Sequence, residues 1–252
     1  KQTRRCQGAG AVMLILGCMM SLSASEFFVS PHGTPEGDGS KNAPWNLQTA
    51  LNHPVELQPG DIIWVRGGVY RRNGQHTRYS SRLEGDEQAP IEVRRFPGER
   101  AIIDGNIIQQ NGGWVHYYGL EIMNTHSNRL TSETGSFPIA FHLPSNGQVV
   151  DWVVSGFDLR SPNVKLINLL VHDSIGGGIS VSASATGAEI HGTFSFYNGW
   201  QGCDRGHGHG LYIQSIDPGY ATVADSFFYA NYALGVQATG NTNVVDNLSF
   251  VG

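Results

Sequence analysis

Residues 156–182 read GFDLRSPNVKLINLLVHDSIGGGISVS, and the punctuation of this stretch decides the fold. Gly156 opens the alternating run Phe157–Arg160, and Gly178 opens a second such run, Ile179–Ser182, 22 residues later. The same opening recurs at Gly210 before LYIQ and at Gly235 before VQAT, after 32 and 25 residues. A second type of apolar run ends at Asp173, Asn198 and Asn231, with spacings of 25 and 33. Period-two alternation marks strands, and self-similarity at a fixed period of roughly 20–50 residues marks a solenoid. One coil takes 22–25 residues, and one coil is longer by 8–10. Asn and Asp at a repeated bend tolerate left-handed backbone, so Asp173, Asn198, Asn231 and Asn124 read as turn residues. The stacked coils form an all-β, single-stranded solenoid in which equivalent strands pair in parallel.

The alternation also assigns faces. With Phe157, Ile179, Leu211 and Val236 inward, Asp158, Ser180, Tyr212 and Gln237 form one outward row, and Arg160, Ser182, Gln214 and Thr239 a second. The extra length falls in residues 198–214, NGWQGCDRGHGHGLYIQ. This turn carries Trp200, Cys203, Asp204, Arg205, His207 and His209, and it enters the outward rows from one edge. A raised loop beside a flat parallel sheet makes a groove, which suits an extended polar chain such as a polysaccharide.

Composition agrees. The chain has 252 residues, 33 of them Gly, with 15% charged residues and a net charge of −5. No basic run follows Arg5, which argues against nucleic acid as a partner. Lys1, Arg4 and Arg5, the apolar stretch Ala11–Leu22 and Ser23-Ala24-Ser25 have the pattern of an export signal, too short to span a membrane. The expectation is a signal peptide at 1–25 and one domain at 26–252, secreted or periplasmic and monomeric, with no membrane span in the mature chain. Ile15-Leu16-Gly17-Cys18 offers a lipid anchor at Cys18 as the alternative. With Glu26 first, Cys203 is the sole cysteine and no internal disulfide forms; its bland reading is an inert loop thiol. The chain stops after Phe250 without a cap, so further coils are expected beyond Gly252. Asn247-Leu248-Ser249 is a weak glycosylation match.

Upstream, FFVSPHGTPEGDGSKNAPWNLQTAL at 27–51, QPGDIIWVRGGVY at 58–70 and PIEVRRFPGERAIIDG at 90–105 resemble the N-terminal part of the pectate-lyase-like superfamily of secreted right-handed parallel β-helix proteins. The resemblance covers about residues 26–105. It implies a short capping helix at Trp45–Leu51, a cap over about 26–60 and coils over 61–252. The superfamily holds lyases, hydrolases, epimerases and adhesins, so it implies a fold more firmly than a reaction.

For a polysaccharide lyase, one group neutralises the uronate carboxylate, a base takes the C5 proton, and an acid protonates the leaving oxygen. Arg205 or Arg160 suits the first task, His207 or His209 the second and Tyr212 the third. Asp158, Arg160, Gln214, Gln237 and Trp200 are the expected glycan contacts. A glycoside hydrolase on the same scaffold needs two carboxylates, for which Asp158, Asp204 and Asp173 are candidates. A non-catalytic, adhesive glycan-binding β-helix is the third reading. The structural alternative for His207 and His209 is that they hold the loop in shape. The residues fix no particular cofactor, although Asp204, His207 and His209 can share a divalent cation; calcium is the ion at issue. Asp38, between Gly37 and Gly39, reads as a turn rather than a calcium ligand. His116, His126, His142 and His172 read as structural. The catalytic Lys–Arg pairing of some β-helix lyases is not matched, since only Lys165 follows Lys41. The Asp-Pro-His signature of β-helix epimerases is also absent, as is an acidic calcium cluster.

Overall fold

The structure is a computed structural model that describes residues 24–71, 77–125, 155–202, 205–215, 219–240, 243–245 and 249–251. The export-signal region 1–23, His126, His142, Cys203, Asp204 and Asn247 lie outside the described residues. Every strand pairing between coils is parallel.

Each coil visits three faces in turn. The first is an eight-stranded sheet that includes Ile62–Val65, Ile91–Arg95, Val115–Tyr118, Val164–Ile167, Ala188–His191 and Ala221–Ala224. The second face holds Glu121–Met123, Leu170–His172, Phe194–Phe196 and Phe227–Tyr229. The third holds Thr77–Ser81, Phe157–Leu159, Ile179–Val181, Leu211–Ser215 and Val236–Gly240. The strand Ala101–Gln109 crosses a corner without a break: Ala101–Ile103 pairs with Gly68–Tyr70 on the second face, and Gly105–Gln109 pairs with Thr77–Ser81 on the third. The second and third faces are thereby one continuous 12-stranded sheet.

Alternation fills the interior. Phe157, Ile179, Leu211, Val171, Leu166 and Ile190 are all 0% exposed and belong to one apolar cluster. The helix at the open end spans Leu47–Leu51, two residues shorter at its start than expected, because Asn46 caps it by accepting the Thr49 N–H at 2.8 Å. It buries Leu47, Ala50 and Leu51. Glu26–Thr34 is more than cap: residues 26–29 pair in register with 62–65, so the first face begins there.

One turn expectation is corrected. Asp173 does adopt positive φ, at 54°. In the next two coils the left-handed residue is Tyr197 (52°) or Ala230 (47°), one place before Asn198 and Asn231. Those asparagines point inward instead. Asn198 is 0% exposed. Its Oδ1 accepts the Ser174 N–H at 3.0 Å and its Nδ2 donates to the Val171 carbonyl at 3.2 Å. Asn231 repeats this one coil on, accepting the Asn198 N–H at 3.1 Å and donating to the Ser195 carbonyl at 3.2 Å. A buried ladder thus ties together the turns between the second and third faces. It replaces the ladder bonds that the bend interrupts, because a buried backbone group left unpaired is costly.

Candidate functional site

The long turn stands on this ladder. Trp200–Gln201 pairs antiparallel with Gly206–His207 as a small hairpin, with Trp200 opposite His207. Both flanking turns clamp its base. Gly199 N–H donates to the Ser174 carbonyl at 2.7 Å and Gly178 N–H to the His209 carbonyl at 2.8 Å. On the other side, Tyr232 N–H reaches the Asn198 carbonyl and Ala233 N–H the Gly208 carbonyl. The glycines of GHGHG serve this close approach. Gly208 has φ +87°, and a Cβ there would overlap the Gly176 carbonyl oxygen. A Cβ at Gly206 would overlap the Tyr232 carbonyl oxygen.

The outward rows hold in register. Asp158 is beside Ser180, Ser180 beside Tyr212, and Tyr212 beside Gln237. Gln214 pairs with Thr239. The hairpin meets this face at a cavity of about 500 Å3 lined by Arg205, His207, His209, Tyr232, Leu234 and Gln237. Four of the expected residues therefore share one cavity. Tyr212 adjoins it through its ring, stacked on His209 at 5.7 Å.

Two expected contacts stand apart. Asp158 and Arg160 lie two coils from Gln214 and three from Gln237, at about 5 Å per coil. They also satisfy each other: Arg160 donates to Asp158 through Nη2 at 2.6 Å and Nε at 2.9 Å. Trp200 is buried and lies against the His207 ring at 4.8 Å, so it props His207. Gln214 Nε2 donates to the Tyr212 hydroxyl at 3.2 Å, which leaves the phenolic proton available to another acceptor.

The two histidines differ. His209 Nδ1 accepts the Leu234 N–H at 3.2 Å, so a neutral ring carries its proton on Nε2 and faces the cavity as a donor. Burial, then the Arg205 charge, holds this imidazole below the ordinary histidine range. His207 is fixed by the Trp200 stack. A cation, two imidazoles and a phenol together can perform acid–base chemistry on a carboxylated substrate.

Among the described residues no group of three metal-ligating side chains occurs, and Asp204, third member of the expected set, is outside them. Lys165 sits on the first face, paired with Glu189 at 3.0 Å, away from this cavity. Tyr232 and Leu234 were not singled out from sequence. The signal was present: they occupy the turn Asn231–Gly235, one coil after the hairpin and at the same corner.

No protein-family model matches the chain. It is 31% identical over 107 residues to pectate lyase L of Thermoclostridium stercorarium, a match covering 40% of this chain and 8% of that protein. It is 30% identical over 99 residues to pectate disaccharide-lyase of Dickeya chrysanthemi, covering 39% and 12%. The chain therefore spans a small part of the length of these relatives. Among solved structures, a rhamnogalacturonan lyase superposes with a TM-score of 0.50 at 13% identity, over 90% of this chain and 63% of that one. In fold the chain is a right-handed parallel β-helix, and over about two-fifths of its length its sequence is similar to pectate lyases.

Proposed function

We propose that this chain is the β-helix, or part of the β-helix, of an exported polysaccharide lyase that cleaves a uronic-acid glycan by β-elimination. The observation that carries this reading is the 30–31% identity to proteins named as pectate lyases over about two-fifths of the chain. The cavity supplies the parts. Arg205 binds the uronate carboxylate and lowers the acidity barrier at C5. His207 removes the C5 proton, the C4–O bond breaks, and a C4–C5 double bond forms. Tyr212 gives its proton to the departing oxygen, while Gln214 holds the phenol in place. His209, with Nδ1 committed to Leu234, orients the loop and presents Nε2–H to the substrate.

The test is incubation of the purified chain with de-esterified polygalacturonate and other uronic-acid polysaccharides. Ultraviolet absorbance from the unsaturated product supports elimination, and His207→Ala should lower that rate roughly 10²–10⁴-fold. New reducing ends without the absorbance would establish a hydrolase instead. Binding without either signal would establish a non-catalytic glycan binder.

A further inference from the structure

A different face of the molecule carries a row of exposed aromatic rings. On the second face the register aligns Leu170, Phe194 and Phe227 in one outward row, and His172, Phe196 and Tyr229 in the next. Phe194 is 40% exposed, Phe227 49% and Tyr229 39%. Their rings touch across coils: Phe194 meets Phe227 at 6.0 Å, and His172 lies parallel to Phe196 at 4.9 Å. Exposed contiguous apolar surface of this kind marks an interaction site.

The platform continues into a groove of about 620 Å3. Leu170 and Glu121 line that groove, and Glu121 holds both Arg100 at 2.6 Å and His172 at 3.0 Å. Arg94, Arg95 and Arg100 also line it, in a chain whose net charge is −5. Arg94 is paired with Glu92, and Arg100 with Glu121. Among the described residues Arg95 makes no ion pair, and it is exposed where its guanidinium crosses Gly119. A local excess of positive charge therefore adjoins a row of aromatic rings.

We infer that the outer second face, from Arg95 to Phe227, is a non-catalytic binding surface for an acidic polysaccharide. The C–H face of a pyranose ring is apolar and slightly positive, and it packs on the negative face of an aromatic ring. Guanidinium groups match carboxylates in geometry as well as charge. Rings repeating at the coil spacing, with the guanidinium of Arg95 at one end, fit a run of successive sugars that carry carboxylates. This surface shares its ligand class with the proposed function but none of its residues, so the two readings fail separately.

Hydrogen exchange of the unmodified chain with and without polygalacturonate tests it directly. Protection is expected in Leu170–His172, Phe194–Phe196 and Phe227–Tyr229, and it should persist in His207→Ala. The double variant Phe194→Ala/Phe227→Ala, at two exposed positions, should bind polygalacturonate roughly tenfold more weakly. Arg95→Gln should weaken binding of polygalacturonate but not of its methyl ester. Protection confined to residues 205–214, or unchanged affinity in the double variant, would overturn the inference. So would a double variant that changes only the sedimentation of the protein, because the face would then be a contact between copies of this chain.

Discussion

Asn198 has no exposed surface and four side-chain hydrogen-bond partners, Ser174, Val171, Ser195 and Asn231. Asn198→Ala strands several of these in the interior, and each buried unsatisfied group costs about 1–3 kcal/mol. Urea denaturation should show a loss of about 2–4 kcal/mol. Asn198→Asp keeps the acceptor, loses both donors and buries a charge, so it should be no milder. His209 gives a pH signature. Its folded-state affinity for a proton is below that of the unfolded chain, so the unfolded chain takes up the proton first. Stability is full above the ordinary histidine range and declines as pH falls through it, until the folded-state ring protonates too. His116, depressed by burial and by Lys165, acts in the same direction. Protonating His209 at Nδ1 also removes the acceptor of the Leu234 N–H. Exchange of that amide, corrected for intrinsic rate, should quicken between about pH 7 and pH 5, and His209→Gln should flatten that part of the acid limb. At this scale the sequence was half legible. Asn198 and Asn231 announced the bend, but left-handed φ at Tyr197 and Ala230 depends on an inward asparagine that only the neighbouring coil can satisfy.

The hairpin Trp200–His207 is an element built for close quarters. Gly208→Ala adds a Cβ against the Gly176 carbonyl in left-handed backbone, where an ordinary side chain already costs roughly 1–2 kcal/mol. The expected result is a dislodged hairpin on an intact solenoid: the Gly178 amide, bonded to the His209 carbonyl, should lose exchange protection. Amides in Val164–Ile167 should not, and activity should fall with His207 displaced. The length excess between Gly178 and Gly210 revealed that an insertion sits at this corner. Its antiparallel pairing and the His207–Trp200 stack were not readable, because a two-residue strand leaves no periodicity. The outward rows were readable, since period two is fixed by the pleat. The distance of Asp158 from Gln237 is legible as well, since it follows from counting coils.

Across the whole molecule, stability is close to a sum of coils and their interfaces. Leu166→Ala, at a fully buried site, should cost about 2–5 kcal/mol. Exchange should rise most in Val115–Tyr118 and Ala188–His191, the strands on either side of Val164–Ile167, and fade with distance along the stack. Uniform loss across all coils would show a cooperative block instead. The architecture was the most legible level, because a repeat writes the same message several times and errors in one strand do not hide the period. The second-face platform was less visible: Phe194, Phe196 and Phe227 sit in short, mostly apolar runs whose residue types do not reveal that Ser195 and Phe228 point inward. The uninterrupted strand Ala101–Gln109 has a mechanical consequence. Tension along the solenoid axis peels coils apart one at a time, since each adds only its own short rungs. At this corner the same strand is bonded on two faces at once, so a pull that frees one face still finds the other loaded. The N-terminal coils would then act as a clasp, holding against force after later coils have yielded.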